Sequence, residues 1–187
     1  MKTALLASFD KDAALLQLGK ALAGAGWNIL GSAGTAKYLN ENGVVCRDVA
    51  EIVGAPILGH RVVTLSRELH AGLLSTDADA AELEKLSVPK IDLVYVTLYP
   101  LEKTISGGGS PADVIEKTDI GGPTLLRAAA KGRRIALSSS AQLDEFEKRL
   151  AENTIDEKYI VSLAAAAERR VAEYVSTSAE YWEKQAM

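Results

Sequence analysis

An α/β fold with a mostly parallel central sheet and helices on both faces is predicted by three observations. The first 47 residues alternate apolar strand-like runs with helix-spaced runs, the rhythm of parallel strands joined by crossover helices. Residues 91–97, Ile-Asp-Leu-Val-Tyr-Val-Thr, are almost continuously apolar, as a central strand covered on both faces must be. A long apolar stripe closes the chain, with Ile160, Leu163, Ala164, Ala167, Val171, Tyr174 and Val175 at helical spacing.

Element by element, residues 3–8 read as the first buried strand. Residues 11–25 follow as a helix, with Ala14, Leu15, Leu18, Ala21 and Leu22 on one face, ended by Gly24 and Gly26. Residues 27–30 are a second strand. The loop Gly31-Ser-Ala-Gly-Thr35 then opens a short helix over 36–41, and residues 44–47 read as a third strand. Between Asp48 and Gly72 the pattern weakens: 51–54 suit a helical turn, and 61–65 have strand composition. A short Ala- and Glu-rich helix spans 77–86, and the strand over 91–97 stops at Leu98-Tyr99-Pro100. Residues 106–110, Ser-Gly-Gly-Gly-Ser, form a loop tip. Helices are expected over 111–117, along the run that starts at Asp119, and over 143–150 and 156–184; residues 134–138 are a strand.

Composition bounds the function. The 187 residues suit a single domain over residues 1–187, with 48% hydrophobic and 25% charged residues. A formal net charge of −4 argues against a broad nucleic-acid surface. Cys46 is the only cysteine, so no intrachain disulfide and no cysteine-based zinc cluster forms. No apolar run approaches the roughly 18 residues of a membrane span, and the first ten residues turn polar too early for a secretory signal. These points make a cytoplasmic protein with no membrane partner and no nucleic-acid partner the expectation.

Several residues carry chemistry. In Asp119-Ile-Gly-Gly-Pro-Thr-Leu-Leu-Arg-Ala-Ala-Ala-Lys131 a carboxylate precedes paired glycines and a helical run on which Arg127 and Lys131 share a face. Glycines allow close backbone approach and helix starts favour anions, yet the same pattern also describes a capped helix after a Gly-Pro turn. The Gly31–Thr35 loop is either a phosphate or carboxylate cradle or a capped helix start. Asp10 and Lys11 follow the first strand, where ligands bind in parallel sheets; Asp10 serves as an N-cap, and Lys11 is either a phosphate ligand or a solvated lysine. Arg61 and Thr64 flank a strand-like run, and an arginine is a good phosphate fork or a solvated charge. Tyr99 is either a substrate contact or a packing residue. His60 and His70 show no metal-ligand spacing, no nucleophile–histidine pair is evident, and the lysine of a P-loop is missing.

Taken in order, these motifs resemble the IMP cyclohydrolase domain of bifunctional AICAR transformylase/IMP cyclohydrolase. The resemblance runs through Asp10-Lys11, Ser32-Ala-Gly-Thr-Ala36, Arg61-Val-Val-Thr-Leu65, His70-Ala-Gly-Leu-Leu74, Ile91-Asp-Leu-Val and Leu98-Tyr-Pro100. It continues through residues 119–131 into the closing helix, nearly end to end. The resemblance implies a methylglyoxal-synthase-like three-layer sandwich. It implies closure of the purine ring of 5-formamidoimidazole-4-carboxamide ribonucleotide (FAICAR) to IMP and water, with no metal and no organic cofactor. It further implies Lys131 as proton shuttle, Asp119 as its partner and Tyr99 as a hydrogen-bonding support. Lys11, Ser32, Ala33, Gly34, Thr35, Arg61 and Thr64 would hold phosphate and ribose, with Asp10 beside them and Thr97 and Ile120 along the base. A homodimer, and a separate AICAR transformylase as possible partner, complete the implied picture.

The chain departs from the family pattern at the implied substrate site. Val63-Thr-Leu-Ser-Arg67 stands where the family reads Lys-Thr-Leu-His-Pro, so an ammonium is missing at Val63 and Ser66 replaces a histidine. Ala7-Ser-Phe-Asp-Lys11 lacks two hydroxyls, at Ala7 and Phe9. Ala33 replaces a glycine, Thr97 an asparagine, and Gly132-Arg133 an Asn-His pair. Either Arg67, Arg133 or Arg134 supplies the lost charge, or the chain is a diverged nucleotide-binding or sensing relative. Methylglyoxal synthase activity itself is disfavoured, because no histidine–aspartate pair for it is evident.

Overall fold

A computed structural model of the chain describes residues 1–59 and 61–187; His60 lies outside the described residues. Strand β1 (Thr3–Ser8) is buried along nearly its whole length and leads into α1 (Ala13–Gly24), whose N-cap is Asp12, with its carboxylate accepting from Leu15 N at 3.0 Å. Asp10 is therefore not the cap; it stays exposed in the loop before the helix. Strand β2 (Asn28–Gly31), α2 (Ala33–Glu41), β3 (Arg47–Asp48) and the single turn α3 (Ala50–Val53) complete the first half. There follow α4 (Arg67–Leu74), a 3-10 turn at Asp77–Asp79, α5 (Ala80–Lys85), β4 (Leu93–Thr97), α6 (Leu101–Ser106) and α7 (Pro111–Glu116). Then come α8 (Gly121–Lys131), β5 (Ile135–Leu137), α9 (Leu143–Glu152) and α10 (Glu157–Gln185).

The five strands pair in the order β3-β2-β1-β4-β5, and every pairing is parallel. Side chains alternate between the two faces, as a strand's period of two requires. Ala4, Leu6, Leu93, Tyr95, Ile135 and Leu137 face a layer formed by Leu15, Leu18 and Leu22 of α1, Leu39 of α2 and Phe146 of α9. Leu5, Val94, Val96 and Ala136 face the opposite layer, with Leu69 and Leu73 of α4, Leu125 and Leu126 of α8, and Val171 and Tyr174 of α10. Helix α10 begins in the first layer at Leu163 and ends in the second, packing on β5 and α8 as it passes. It thereby shields an edge strand whose unpaired backbone groups would otherwise invite another chain.

Three local expectations fail for tertiary reasons. The third strand is shorter and later than residues 44–47, because Asn40 binds the backbone of Cys46 on both sides, accepting from its N at 3.1 Å and donating to its O at 2.7 Å. Residues 61–65 form no strand. Val62 makes only an isolated antiparallel bridge to Ile57, and the segment lies over the cleft described below instead of joining the sheet. Ser106 belongs to α6, so the glycine tip is residues 107–109. Among the described residues, no helix is long and apolar enough to cross a membrane.

Topology selects one crevice. From β1 the chain moves outward through β2 and β3, then returns to the other side of β1 as β4. The loops leaving β1 and β4 therefore diverge, and their C-terminal ends frame the switch point at which parallel sheets bind ligands.

Candidate functional site

A cleft of about 600 Å³ opens at that switch point. Ser8 and Phe9 from the end of β1, and Thr97 and Tyr99 from the end of β4, form its floor. The start of α2, the segment carrying Arg61, Val63 and Thr64, and the Thr118–Gly122 loop form its walls.

One part of the cleft has the chemistry to hold an anion. Ser32 is the N-cap of α2, but its hydroxyl does not cap the helix; it donates to Thr35 Oγ1 at 3.0 Å. The first turn of α2 thus keeps amides that no side chain claims, and Ser32, Ala33 and Gly34 line the cleft there. Unclaimed amides and the helix dipole both favour a phosphate. Lys11 lines the same end, with its Nζ donating to the Ser8 carbonyl and, at 3.2 Å, to the Phe9 carbonyl. Burial lowers the Lys11 pKa, partly opposed by Asp10. A Cβ on Gly34 would stand 3.4 Å from Lys11 Cε, so the glycine leaves the lysine room to lie along the loop. Arg61 adds a second cation. Lys11→Met should weaken phosphate monoester binding about 10- to 100-fold, the range of a charge-assisted hydrogen bond, and leave binding of the matching nucleoside unchanged. Calorimetry with the two ligands checks this; equal loss for both would remove Lys11 from the phosphate.

Another part holds a carboxyl and a phenol. Asp119 precedes α8, and its Oδ1 accepts from Gly122 N at 2.9 Å, with the Tyr99 and Gly121 amides also serving the carboxylate. Burial nonetheless raises the Asp119 pKa from the ordinary aspartate value, opposed by those amides. The paired glycines make this possible. A Cβ on Gly122 would lie 2.6 Å from Asp119 Oδ2 and 2.7 Å from Leu98 Cδ2, and one on Gly121 would lie 2.5 Å from Thr64 Oγ1. Tyr99 packs against Phe9 with ring centroids 5.3 Å apart, and Lys117 Nζ stands 6.0 Å from its centroid. Burial, then Asp119 and Glu116, raise the Tyr99 pKa.

Of the residues singled out from the sequence, Lys11, Ser32, Ala33, Gly34, Arg61, Thr64, Thr97, Tyr99, Asp119 and Ile120 line this one cleft. Thr97 is committed internally as well: its Oγ1 accepts from Phe9 N at 2.8 Å and Asp10 N at 3.2 Å, and pairs with Ser8 Oγ at 2.8 Å. Thr35 is fully buried behind the cradle, where its Oγ1 accepts from Ser8 N at 3.2 Å, so it shapes the loop from behind. Asp10 offers the loop its carbonyl, which accepts from Ser8 Oγ at 2.8 Å, and its side chain is outside the cleft.

Lys131 is not brought to Asp119. It ends α8 while Asp119 precedes the helix, and the ten steps from Gly121 to Lys131 alone rise about 15 Å. The intervening helix, not a missing contact, separates the pair within one chain. The arginines offered as replacements for the lost charge are also elsewhere. Arg134 is buried, donating through Nε to Leu73 O at 2.8 Å and through Nη2 to Ser75 O, at the C-terminal end of α4. Arg67 pairs with Glu68 at 3.3 Å, and neither it nor Arg133 lines the cleft. Ala7, Phe9 and Val63 do line it, so the departures from the family pattern make an apolar wall. Sequence reasoning missed Pro56, Ile115, Glu116 and Thr118 as lining residues, since nothing local distinguishes them from ordinary loop and helix positions. Cys46 is buried, with its thiol pKa raised to about 12 by burial and by Asp48. Among the described residues no group of three His, Cys, Asp or Glu side chains could hold a metal ion.

Comparison with known proteins agrees with this architecture. Residues 14–124 match the family model described as MGS-like domain. The bifunctional purine biosynthesis protein PurH of Ruegeria pomeroyi is 38% identical over 182 residues, covering 93% of this chain and 34% of that protein. PurH of Aquifex aeolicus is 47% identical over 119 residues, covering 62% of this chain and 24% of that protein. The chain thus spans about a quarter to a third of the length of these relatives. The crystal structure of ForH superposes with a TM-score of 0.82 at 31% identity, covering 97% of this chain and 98% of that one. A parallel sheet with this switch-point cleft, a family model spanning more than half the residues and near-complete coverage by PurH sequence together lead to one statement: the chain belongs to the MGS-like domain family, in the form found within PurH.

Proposed function

We propose that this chain is an IMP cyclohydrolase, closing the second ring of FAICAR to give IMP and water. The observation that carries the reading is that a helix start with Lys11 beside it and a buried carboxyl, Asp119, line one cleft. A nucleoside monophosphate needs that arrangement: phosphate at one end, reacting base at the other.

Ring closure forms a bond between the carboxamide nitrogen and the formyl carbon, then breaks the bond from that carbon to the former formyl oxygen. One proton leaves the carboxamide nitrogen, a second leaves the formamide nitrogen, and both depart on the oxygen as water. Holding the two groups together supplies much of the acceleration in such an intramolecular step. Asp119, with its pKa raised by burial, suits the remaining work: its carboxylate accepts the carboxamide proton and its acid form delivers a proton to the leaving oxygen. The Tyr99 hydroxyl stays protonated at neutral pH and lines the same cleft, where it would donate to that oxygen. Lys11, Arg61 and the start of α2 hold the phosphate.

Lys131 takes no part in this scheme within one chain. A second copy, as in the homodimer the resemblance implies, is the route by which it would reach a cleft. Lys131→Met is therefore expected to keep turnover within about threefold, given its place about 15 Å along α8. A folded but inactive Lys131→Met variant would instead require a neighbouring copy to deliver the lysine. The formyl group would come from a separate AICAR transformylase.

A second reading has an observation in its favour: Ala7, Phe9 and Val63 make the cleft wall apolar where the family pattern carries hydroxyls and a lysine. Such a wall suits a diverged nucleotide-binding domain. Mixing the purified protein with FAICAR and following IMP separates the two. Conversion well above the spontaneous rate supports the cyclohydrolase. Nucleotide binding without conversion overturns it in favour of the binding domain.

A further inference from the structure

We propose that Tyr174, on the closing helix α10, is the positioning residue that holds Asp119 in its buried place at the cleft. The inference rests on the cyclohydrolase reading for its kinetic consequence, but not for its structural one. Tyr174 lies 55 residues from Asp119 in sequence, is 1% exposed, and forms part of the core between α8 and α10. Its hydroxyl bridges the loop that carries Asp119. It accepts from Asp119 N at 2.8 Å and donates to Lys117 O at 3.0 Å. One rigid phenol thus ties together the end of α7 and the start of α8, the two ends of the segment from which the carboxyl projects.

The tyrosine is itself anchored. Its ring packs among apolar residues of the core, Arg170 lies 5.6 Å from the ring centroid, and Arg170 donates to Glu102 on α6 at 2.7 Å. The hydroxyl keeps its proton, since burial raises its pKa to about 12, so the donor and acceptor roles persist across the pH range in which a carboxyl titrates. The Gly122, Gly121 and Tyr99 amides act instead on the Asp119 side chain. Tyr174 acts on its backbone and so sets where those side-chain bonds must meet. Without the hydroxyl, a partly buried N–H and a carbonyl lose their partners, and the loop gains by moving toward water. The carboxyl would follow, and a carboxyl that regains water titrates at lower pH.

Tyr174→Phe tests this, because it removes one oxygen and leaves the packed ring. Tyr99 and Tyr174 face the carboxyl, Glu116 and Lys117 stand beside Tyr99, Lys11 and Arg61 line the same cleft, and Glu102 and Arg170 lie behind Tyr174. All but the Tyr174 hydroxyl stay in place. The Asp119 carboxyl carbon is followed by NMR through a pH titration, with Asp119→Asn identifying its resonance, and exchange of the Asp119 amide is measured in parallel. The titration midpoint is expected to fall by at least half a pH unit and the amide to exchange at least tenfold faster. Tyr181→Phe, on the same helix in contact with Trp182, is the control and should change neither. With FAICAR, kcat should fall about tenfold and KM should change less than threefold, with the kinetic limb assigned to Asp119 moving to lower pH. An unchanged midpoint and unchanged amide exchange overturn the proposal. A shifted midpoint in a protein that does not convert FAICAR upholds the positioning role and rejects the cyclohydrolase reading instead. Should Tyr174→Phe lower the melting temperature too far to titrate, the same NMR measurement on Arg170→Gln, which loosens the ring without touching the hydroxyl, must show a smaller shift in the same direction; none would overturn it.

Discussion

Asp119→Asn is expected to lower FAICAR turnover about a thousandfold, within the range that a positioned proton-transfer group contributes, while nucleotide monophosphate affinity changes by less than about threefold. The two effects separate because the phosphate end of the cleft, with Lys11, Ser32 and Gly34, shares no hydrogen bond with the carboxyl end. The same substitution has an opposite effect on stability. Burial raises the Asp119 pKa in the folded state, so folding favours the protonated form. The stabilising contribution of such a group is complete below its unfolded pKa, about 3.9 for an aspartate, and is lost as pH rises through the folded value. Once ionised, the carboxylate sits in a poorly solvated place in the folded protein. An asparagine of nearly the same shape removes that charge. The variant should melt roughly 2–4 °C higher at pH 7, the effect of about 1 kcal/mol in a domain of this size, and the gain should vanish near pH 4. Melting scans at the two pH values check the sign. A lower melting temperature at pH 7 would mean that the three amides serving the carboxylate outweigh its burial, and unchanged turnover would take Asp119 out of the chemistry.

Gly132→Ala should be the most destabilising single-methyl change among those considered. Gly132 follows α8 where that helix meets the end of α4, and a Cβ there would lie 2.1 Å from Leu73 O. The carbonyl cannot swing away. It accepts from Arg134 Nε at 2.8 Å, and the same guanidinium also binds Ser75 O. On its other side α4 is equally confined, since a Cβ on Gly72 would stand 2.5 Å from Pro89 O. Relief requires moving backbone, so a loss of about 3 kcal/mol is expected, or roughly 6–12 °C in melting temperature. Gly24→Ala, where nothing lies within 4 Å of the added carbon, is the control and should leave stability equal or slightly raised by better helix propensity. A loss below about 1 kcal/mol at Gly132 would show that the two helices slide apart easily. The family pattern has an asparagine at this place, and the approach of α4 explains why this chain carries the residue with no Cβ.

The elements that the sequence made legible are those whose signal is local. Thr3–Ser8 is continuously buried and reads so; Leu15, Leu18 and Leu22 recur at helical spacing and are buried at that spacing. Helix α4 was not legible, because only Leu69, Gly72 and Leu73 are buried in it and its packing depends on Arg134, about 60 residues away. Residues 61–65 carry β-branched composition but have no neighbouring strand to pair with, and composition without a partner makes no sheet. Within the site, Lys11, Ser32 and Gly34 were legible because a strand–loop–helix join places its amides at the sheet's edge by local geometry.

By itself the sequence determined the α/β class and the parallel crossovers and placed the Gly31–Thr35 loop at a strand–helix join, since each follows from residues adjacent in the chain. Only the tertiary structure decided that Thr35 and Tyr174 brace the site from behind and that the cleft wall is apolar at Val63. It also decided that Lys131 and Asp119, joined in one motif, lie at opposite ends of α8. The reason is geometric. Sequence spacing specifies which face of a helix a residue occupies, whereas its distance from a ligand is set by the helix rise and by what that helix packs against.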